Sequence, residues 1–263
     1  MSRLVPGLLL PLLLVACSPL YELPQPLLTQ PREMQERLSA QGGDDVMFSA
    51  TARVDYYSDG KARKGKLFIM AALPHRLRLE AMSFTDDMLS LMVVDQNSFG
   101  YFERGHDQCY AGPLCAAPVV ARFPMASNPG ILLPLLLGRV PLLHPTQSSE
   151  LTFDRTIGLY RLTLTQEETT QQVLIAPADY AVREFQLTRT GSLVLKVTYS
   201  GALETSDGRF VPQRARLVAP DEKLDLSIEY RQFDWEQQLE SSAFEFRCPE
   251  GARLQELDCG GAQ

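Results

Sequence analysis

The chain changes its hydrophobic rhythm five times, and each change marks a different piece of structure. It opens with Arg3 followed by an apolar run from Leu4 to Ala16. Prolines then crowd the stretch at positions 19, 24, 26 and 31. Residues 32–40 (REMQERLSA) place Met34 and Leu38 four apart, the spacing of one helix face. From Phe48 the period falls to two, which predicts strands. Candidates run Phe48–Tyr56, Gly65–Ala71, Arg76–Met82, Met88–Val94 and Ser98–Phe102. Alternation stops at 116–141, a stretch rich in Leu, Pro and Ala. Within it Ile131–Leu137 predicts a helix, with Asn128-Pro129 before it and Gly138 as its stop. Strands resume at Leu151–Phe153, Gly158–Thr165, Gln172–Ile175, Ala181–Arg189, Leu193–Tyr199, Arg209–Leu217 and Leu224–Phe233. A short one is expected at Phe244–Arg247. Asp207-Gly208 is a hairpin signal.

About eleven strands with few helices predict a mainly β domain. A long antiparallel sheet accumulates twist and curls, so its concave face needs a cover. The apolar segment Ile131–Leu137 is the strongest candidate for that cover. A curled sheet closed by helices leaves an apolar hollow, the kind of place that takes apolar ligands. No composition break follows the prolines. The expected organisation is therefore a signal at 1–16, a proline-rich tether at 17–31, and one domain over 32–263.

The opening run has the order of a secretory signal: a basic start, an apolar core, then small residues. It is too short for a transmembrane helix, which takes roughly 20 apolar residues, and Pro6 and Pro11 interrupt it. Leu14-Val15-Ala16-Cys17 resembles the bacterial lipoprotein signal. That resemblance implies that Cys17 becomes the first mature residue and carries acyl chains such as palmitate. Ser18 in the next position resembles outer-membrane cargo. The remaining cysteines are Cys109, Cys115, Cys248 and Cys259, an even number in an exported chain. Disulfides are favoured over a zinc site, because the spacings are wide and only three histidines occur. Three pairings are possible, and locality favours Cys109–Cys115 with Cys248–Cys259.

Charge excludes some partners. A formal net charge of -7 with no basic tract argues against nucleic acid. Catalytic signatures are sparse: there is no glycine-rich phosphate loop and no G-x-S-x-G elbow. His106 and Cys109 share one loop, but Cys115 is close enough to oxidise Cys109. The expectation is a non-enzymatic monomer without cofactor or metal.

Several short stretches together resemble the lipoprotein-carrier fold. That fold belongs to the periplasmic carrier and the outer-membrane lipoprotein receptor of the lipoprotein-localisation pathway. The stretches are Phe48-Ser49-Ala50-Thr51-Ala52 with Val54, Arg76-Leu77-Arg78-Leu79, the turn from Ser83 to Ser90, and Leu136-Leu137-Gly138-Arg139-Val140-Pro141. Val197-Thr198-Tyr199-Ser200, Asp207-Gly208-Arg209-Phe210-Val211-Pro212 and Phe246-Arg247-Cys248-Pro249 complete them. The resemblance implies an incomplete barrel with a helical lid that holds acyl chains or lipoproteins. The expected lining is Phe48, Val54, Leu67, Ile69, Leu77, Leu79, Leu91, Val93, Leu132, Leu133, Leu136 and Leu137. The receptor also carries an exposed apolar residue in the loop matching residues 83–88, implied to aid membrane insertion. Phe84 is its equivalent here; the other reading of Phe84 is a core aromatic. Asp86 and Asp87 depart from the receptor pattern and resist membrane entry. The carrier holds its lid with a strand arginine, and Arg53 lies in the matching region; the plainer reading of Arg53 is a solvated residue. The expected location is the outer membrane, lipid-anchored, with the domain facing the periplasm. A lipoprotein scaffold that binds a protein partner is the alternative function.

Overall fold

A computed structural model describes residues 20–41, 46–58, 60–114, 134–221 and 223–259. One helix, α1 (Pro31–Ala40), precedes the strands, with Pro31 in its first turn where a missing N–H costs nothing. Six strands follow: β1 (Met47–Ser58), β2 (Lys61–Ala72), β3 (Arg76–Met82), β4 (Met88–Asp95), β5 (Ser98–Glu103) and β6 (Gln108–Pro113). After the crossing come β7 (Ser148–Asp154), β8 (Leu159–Gln166), β9 (Thr169–Ile175), β10 (Val182–Arg189), β11 (Ser192–Glu204), β12 (Phe210–Ala219) and β13 (Leu224–Glu236). A short strand, β14 (Arg253–Glu256), ends the series.

All fourteen belong to one open sheet, ordered β14-β6-β5-β4-β3-β2-β1-β13-β12-β11-β10-β9-β8-β7. The first meander grows from β1 to β6 at one edge. The second starts at the opposite edge with β7 and grows back until β13 pairs with β1, Val54 opposite Ile228. The result is the expected curled, incomplete barrel. Its strand number exceeds expectation: β6 and β14 carry no alternation long enough to read in sequence.

The sheet wraps one main core. Phe48, Ala50, Ile69, Ala71, Leu77, Leu79, Met92 and Val94 from the first meander meet Leu162, Val173, Val197, Leu217, Ile228 and Phe233 from the second. Alternation holds strand by strand: β8 buries Tyr160, Leu162 and Leu164, two residues apart. Met34 and Leu38 of α1 pack into the same core, as their spacing predicts.

Two expectations need correction here. The first concerns Phe244–Arg247, which is not a strand. Ser241–Phe244 is a short 3-10 turn in a strap that leaves β13 and crosses the outer face of β3 to β5. Phe244 is buried there with Leu91 and Val93, flanked by Met70, Phe102 and Phe246. Arg78 donates through Nη1 to the Ala243 carbonyl. Gly100 has no room for a side chain, since a Cβ would lie 1.9 Å from the Phe246 ring. The strap then returns along β6 as β14, parallel to it.

The second concerns the disulfides. Cys109 on β6 is bonded to Cys248 of the strap, across a sequence separation of 139. Cys259 is also disulfide-bonded, while Cys115 lies outside the described residues. The favoured local pairs Cys109–Cys115 and Cys248–Cys259 are therefore excluded. Locality misleads because the strap carries Cys248 onto the β6 edge, where Cys109 is already held and fully buried.

Candidate functional site

The concave face is apolar, and what lies across it decides what it can do. Residues 134–143 cross it between the two meanders. Residues 134–137 form one helical turn, closed by hydrogen bonds from Leu137 and Arg139 nitrogens to the Pro134 carbonyl. Gly138 ends the turn at φ +73°, as its place in the sequence predicts. Leu135, Leu136 and Leu137 are all buried in the core beneath the turn.

Three buried side chains hold this segment by its backbone. Tyr199 on β11 donates its hydroxyl to the Leu135 carbonyl at 2.5 Å. Tyr230 on β13 donates to the Leu136 carbonyl at 3.4 Å. Gln171 on β9 uses both ends of its amide: Oε1 accepts from the Leu143 nitrogen at 2.8 Å, and Nε2 donates to the Pro141 carbonyl at 2.7 Å. Burial pushes both phenols well above the usual tyrosine range, so they stay protonated donors. The contacts give hydrogen-bond partners to the carbonyls of Leu135, Leu136 and Pro141 and to the Leu143 amide, the Leu135 carbonyl also accepting from the Gly138 nitrogen. None of these three residues stands out by sequence alone. The available signal was parity: Gln171 shares a face with Val173 and Ile175, and Tyr199 with Val197.

An aromatic group closes one end of the concavity. Phe48 stacks on Phe233 at 4.9 Å between ring centres, and Trp235 meets Phe233 edge-on at 4.8 Å. Two guanidinium groups lie over Trp235, Arg209 at 4.2 Å and Arg139 at 5.2 Å. Burial, then the charge of Arg209, lowers the pKa of Arg139. Arg209 also donates to Asp207 at 2.6 Å.

The expected lining divides by face. Phe48, Ile69, Leu77, Leu79, Leu136 and Leu137 are buried in the main core, with Val54 and Leu67 packed against it. Leu132, Leu133 and Cys17 lie outside the described residues. Leu91 and Val93 do not face the concavity; they sit under the strap on the outer face. On β4 both faces are buried, so hydrophobicity cannot tell Leu91 and Val93 from Met92 and Val94.

Phe84 is 61% exposed at the β3–β4 turn and is no core aromatic. Asp86 pairs with Lys66 at 2.7 Å and Asp87 with Arg104 at 3.3 Å. Arg53 is exposed on β1. Cys109, being in a disulfide, offers no thiolate beside His106.

The stretch read as a tether is extended, yet it is docked. The Tyr21 nitrogen donates to the Arg155 carbonyl at 2.8 Å, and Arg155 Nε donates back to the Tyr21 carbonyl at 3.0 Å. Leu28 is buried, and its nitrogen donates to the Tyr160 hydroxyl at 3.0 Å. Its prolines remove some donors, and two that remain, the Tyr21 and Leu28 nitrogens, find acceptors at the β7–β8 end of the sheet. Among the described residues, no helix is long and apolar enough to cross a membrane.

Solved structures share this architecture. A LolA superfamily protein from Nitrosomonas europaea superposes with a TM-score of 0.52 and 9% identity, covering 83% of this chain and 98% of that one. The chain has the LolA-type fold. A DUF1329 family protein from Desulfovibrio piger aligns with a TM-score of 0.56 and 12% identity, over 82% of this chain and 95% of its own. A domain from Vibrio parahaemolyticus, described as an outer membrane lipoprotein-sorting protein, gives 0.50 and 7% identity over 81% and 94%. No family model and no curated relative matches the sequence.

Proposed function

We propose that this chain is a lipid-anchored envelope protein that shelters acyl chains, of a lipid or a lipoprotein, against its concave face. Acylation of Cys17 supplies the anchor, and Ser18 directs it to the outer membrane with the domain in the periplasm. The carrying observation is the crossing segment. It covers an apolar wall with three leucines, and among the described residues Tyr199, Tyr230 and Gln171 hold it by its backbone. Each such bond contributes about 1 kcal/mol net. Displacing the segment gives up these bonds and the burial of Leu135, Leu136 and Leu137, and an acyl chain that takes their place restores the apolar contact. The exchange needs no cofactor and no reacting group. The sorting-domain and LolA-superfamily likenesses support the reading at the level of fold.

The experiment is to purify the protein from membranes, extract it with organic solvent and identify what is released by mass spectrometry. Acyl lipid in near-stoichiometric amount is the expected result. Recovering none overturns the carrier reading and leaves a scaffold lipoprotein that binds a protein partner. One observation favours that second reading: Phe48, Ile69 and Leu77 are already 0–1% exposed, so side chains close the interior.

A further inference from the structure

The docked N-terminal segment fixes where the membrane lies. Cys17 stands three positions before Leu20, a reach of at most about 11 Å for an extended chain. Leu20 and Tyr21 are more than half exposed, although Tyr21 is pinned by both of its backbone bonds to Arg155. The Tyr21 ring lies against Gly158, beside Ile157, which is exposed at the β7–β8 turn. The β11–β12 turn stands at the same end of the strands, and Phe210 just after it is 66% exposed. Arg209 is paired with Asp207 and Asp154 with Arg161, and Arg155 donates to the Tyr21 carbonyl, while the carboxylates of Glu22 and Glu204 are exposed. Between them this end presents Leu20, Tyr21, Ile157 and Phe210, apolar and aromatic side chains of the kind that settle at a bilayer interface.

We infer that the end of the sheet carrying Leu20, Tyr21, Ile157 and Phe210 rests on the bilayer surface, and that the β3–β4 turn with Phe84 points away from it. The inference rests on the acylation of Cys17 proposed above. The turn at Phe84 lies at the opposite end of the strands: Met82 is level, through Lys66, Arg53 and Glu229, with Arg214, which puts Phe84 roughly 20 Å along the strands from Phe210. Cys17 reaches no further than about 11 Å from Leu20, so the anchor holds the Leu20 end and the opposite end is directed outward. Phe84 is thus presented toward an arriving cargo or partner, with its aspartates neutralised by Lys66 and Arg104.

The test uses the full lipidated chain in vesicles of phosphatidylethanolamine and phosphatidylglycerol containing brominated phosphatidylcholine. Ile157→Trp, Phe210→Trp and Phe84→Trp each add one indole at an exposed site, and the native Trp235 signal is subtracted. Mass spectrometry first establishes the acyl chains on Cys17. Ile157→Trp and Phe210→Trp should lose emission to the lipid-borne bromine, and Phe84→Trp should keep it. An unacylated Cys17 defeats the anchor reading and this orientation with it. With Cys17 acylated, quenching of Phe84→Trp alone would show the domain inverted, and quenching of none would show it swinging free; either result overturns the orientation alone.

Discussion

Tyr199, Tyr230 and Gln171 are polar residues at inward positions of strands otherwise filled with valine, leucine and isoleucine, and their partners are all backbone atoms of one segment. Tyr199→Phe keeps the ring and removes one of the two donors to the Leu135 carbonyl, leaving the Gly138 nitrogen as the other. That should lower stability by about 1 kcal/mol in urea unfolding and speed amide exchange in residues 134–143. Gln171→Leu should loosen the other end of the segment and speed exchange at Leu143 in particular. Two carboxylates set the acid limit, Asp154 half-buried and Asp207 exposed. Thr156 and then Arg161 hold Asp154 down to about 2, and Arg209 and then Thr205 do the same for Asp207. Both folded-state values lie below the unfolded value near 3.9. Their stabilisation is therefore complete above about pH 4 and is lost as pH falls towards 2. Acid titration should show that loss, and Asp154→Asn should remove part of it. Residues of this kind were the least legible in the sequence. Alternation marks Phe48, Ile69 and Leu77 as inward, but nothing local announces that a buried tyrosine reaches across to a carbonyl some sixty residues away.

Strands were legible and straps were not. The Arg76–Met82 strand appears with the bounds its charge–apolar alternation predicts, and most others fall within a few residues. Alternation reports one wet and one dry face, and the first meander supplies that until β4, where the strap dries the second face as well. The same strap makes Phe244 and Phe246 alternate like a strand while they pack as a cover. Its fastening is covalent as well as apolar. Replacing Cys109 and Cys248 with alanine should cost about 2–5 kcal/mol, read from denaturation of oxidised wild type against variant, because the closed loop is long. Gly100→Ala should drive Phe246 off the sheet and expose the strap to limited proteolysis without unfolding the second meander.

At the scale of the molecule, the fold class, the curl and the presence of a mid-chain cover followed from rhythm alone, whereas the docked proline segment did not. Its contacts pair residues more than 130 apart, beyond the reach of any local pattern. If Cys17 carries the proposed acyl chains, Cys17→Ala should release the protein from membranes into the soluble fraction, read by fractionation, while its circular dichroism and unfolding midpoint stay unchanged. The sheet order carries one more consequence. β1 lies in the interior of the sheet, yet its second neighbour, β13, is nearly the last strand to be made. A chain threaded through a membrane from its N-terminus would hold that hydrogen-bonding edge open for most of its passage. Such an edge invites strands from other chains. The seam between β1 and β13 is thus where export would need a chaperone, and where a slow translocation would first show as aggregation.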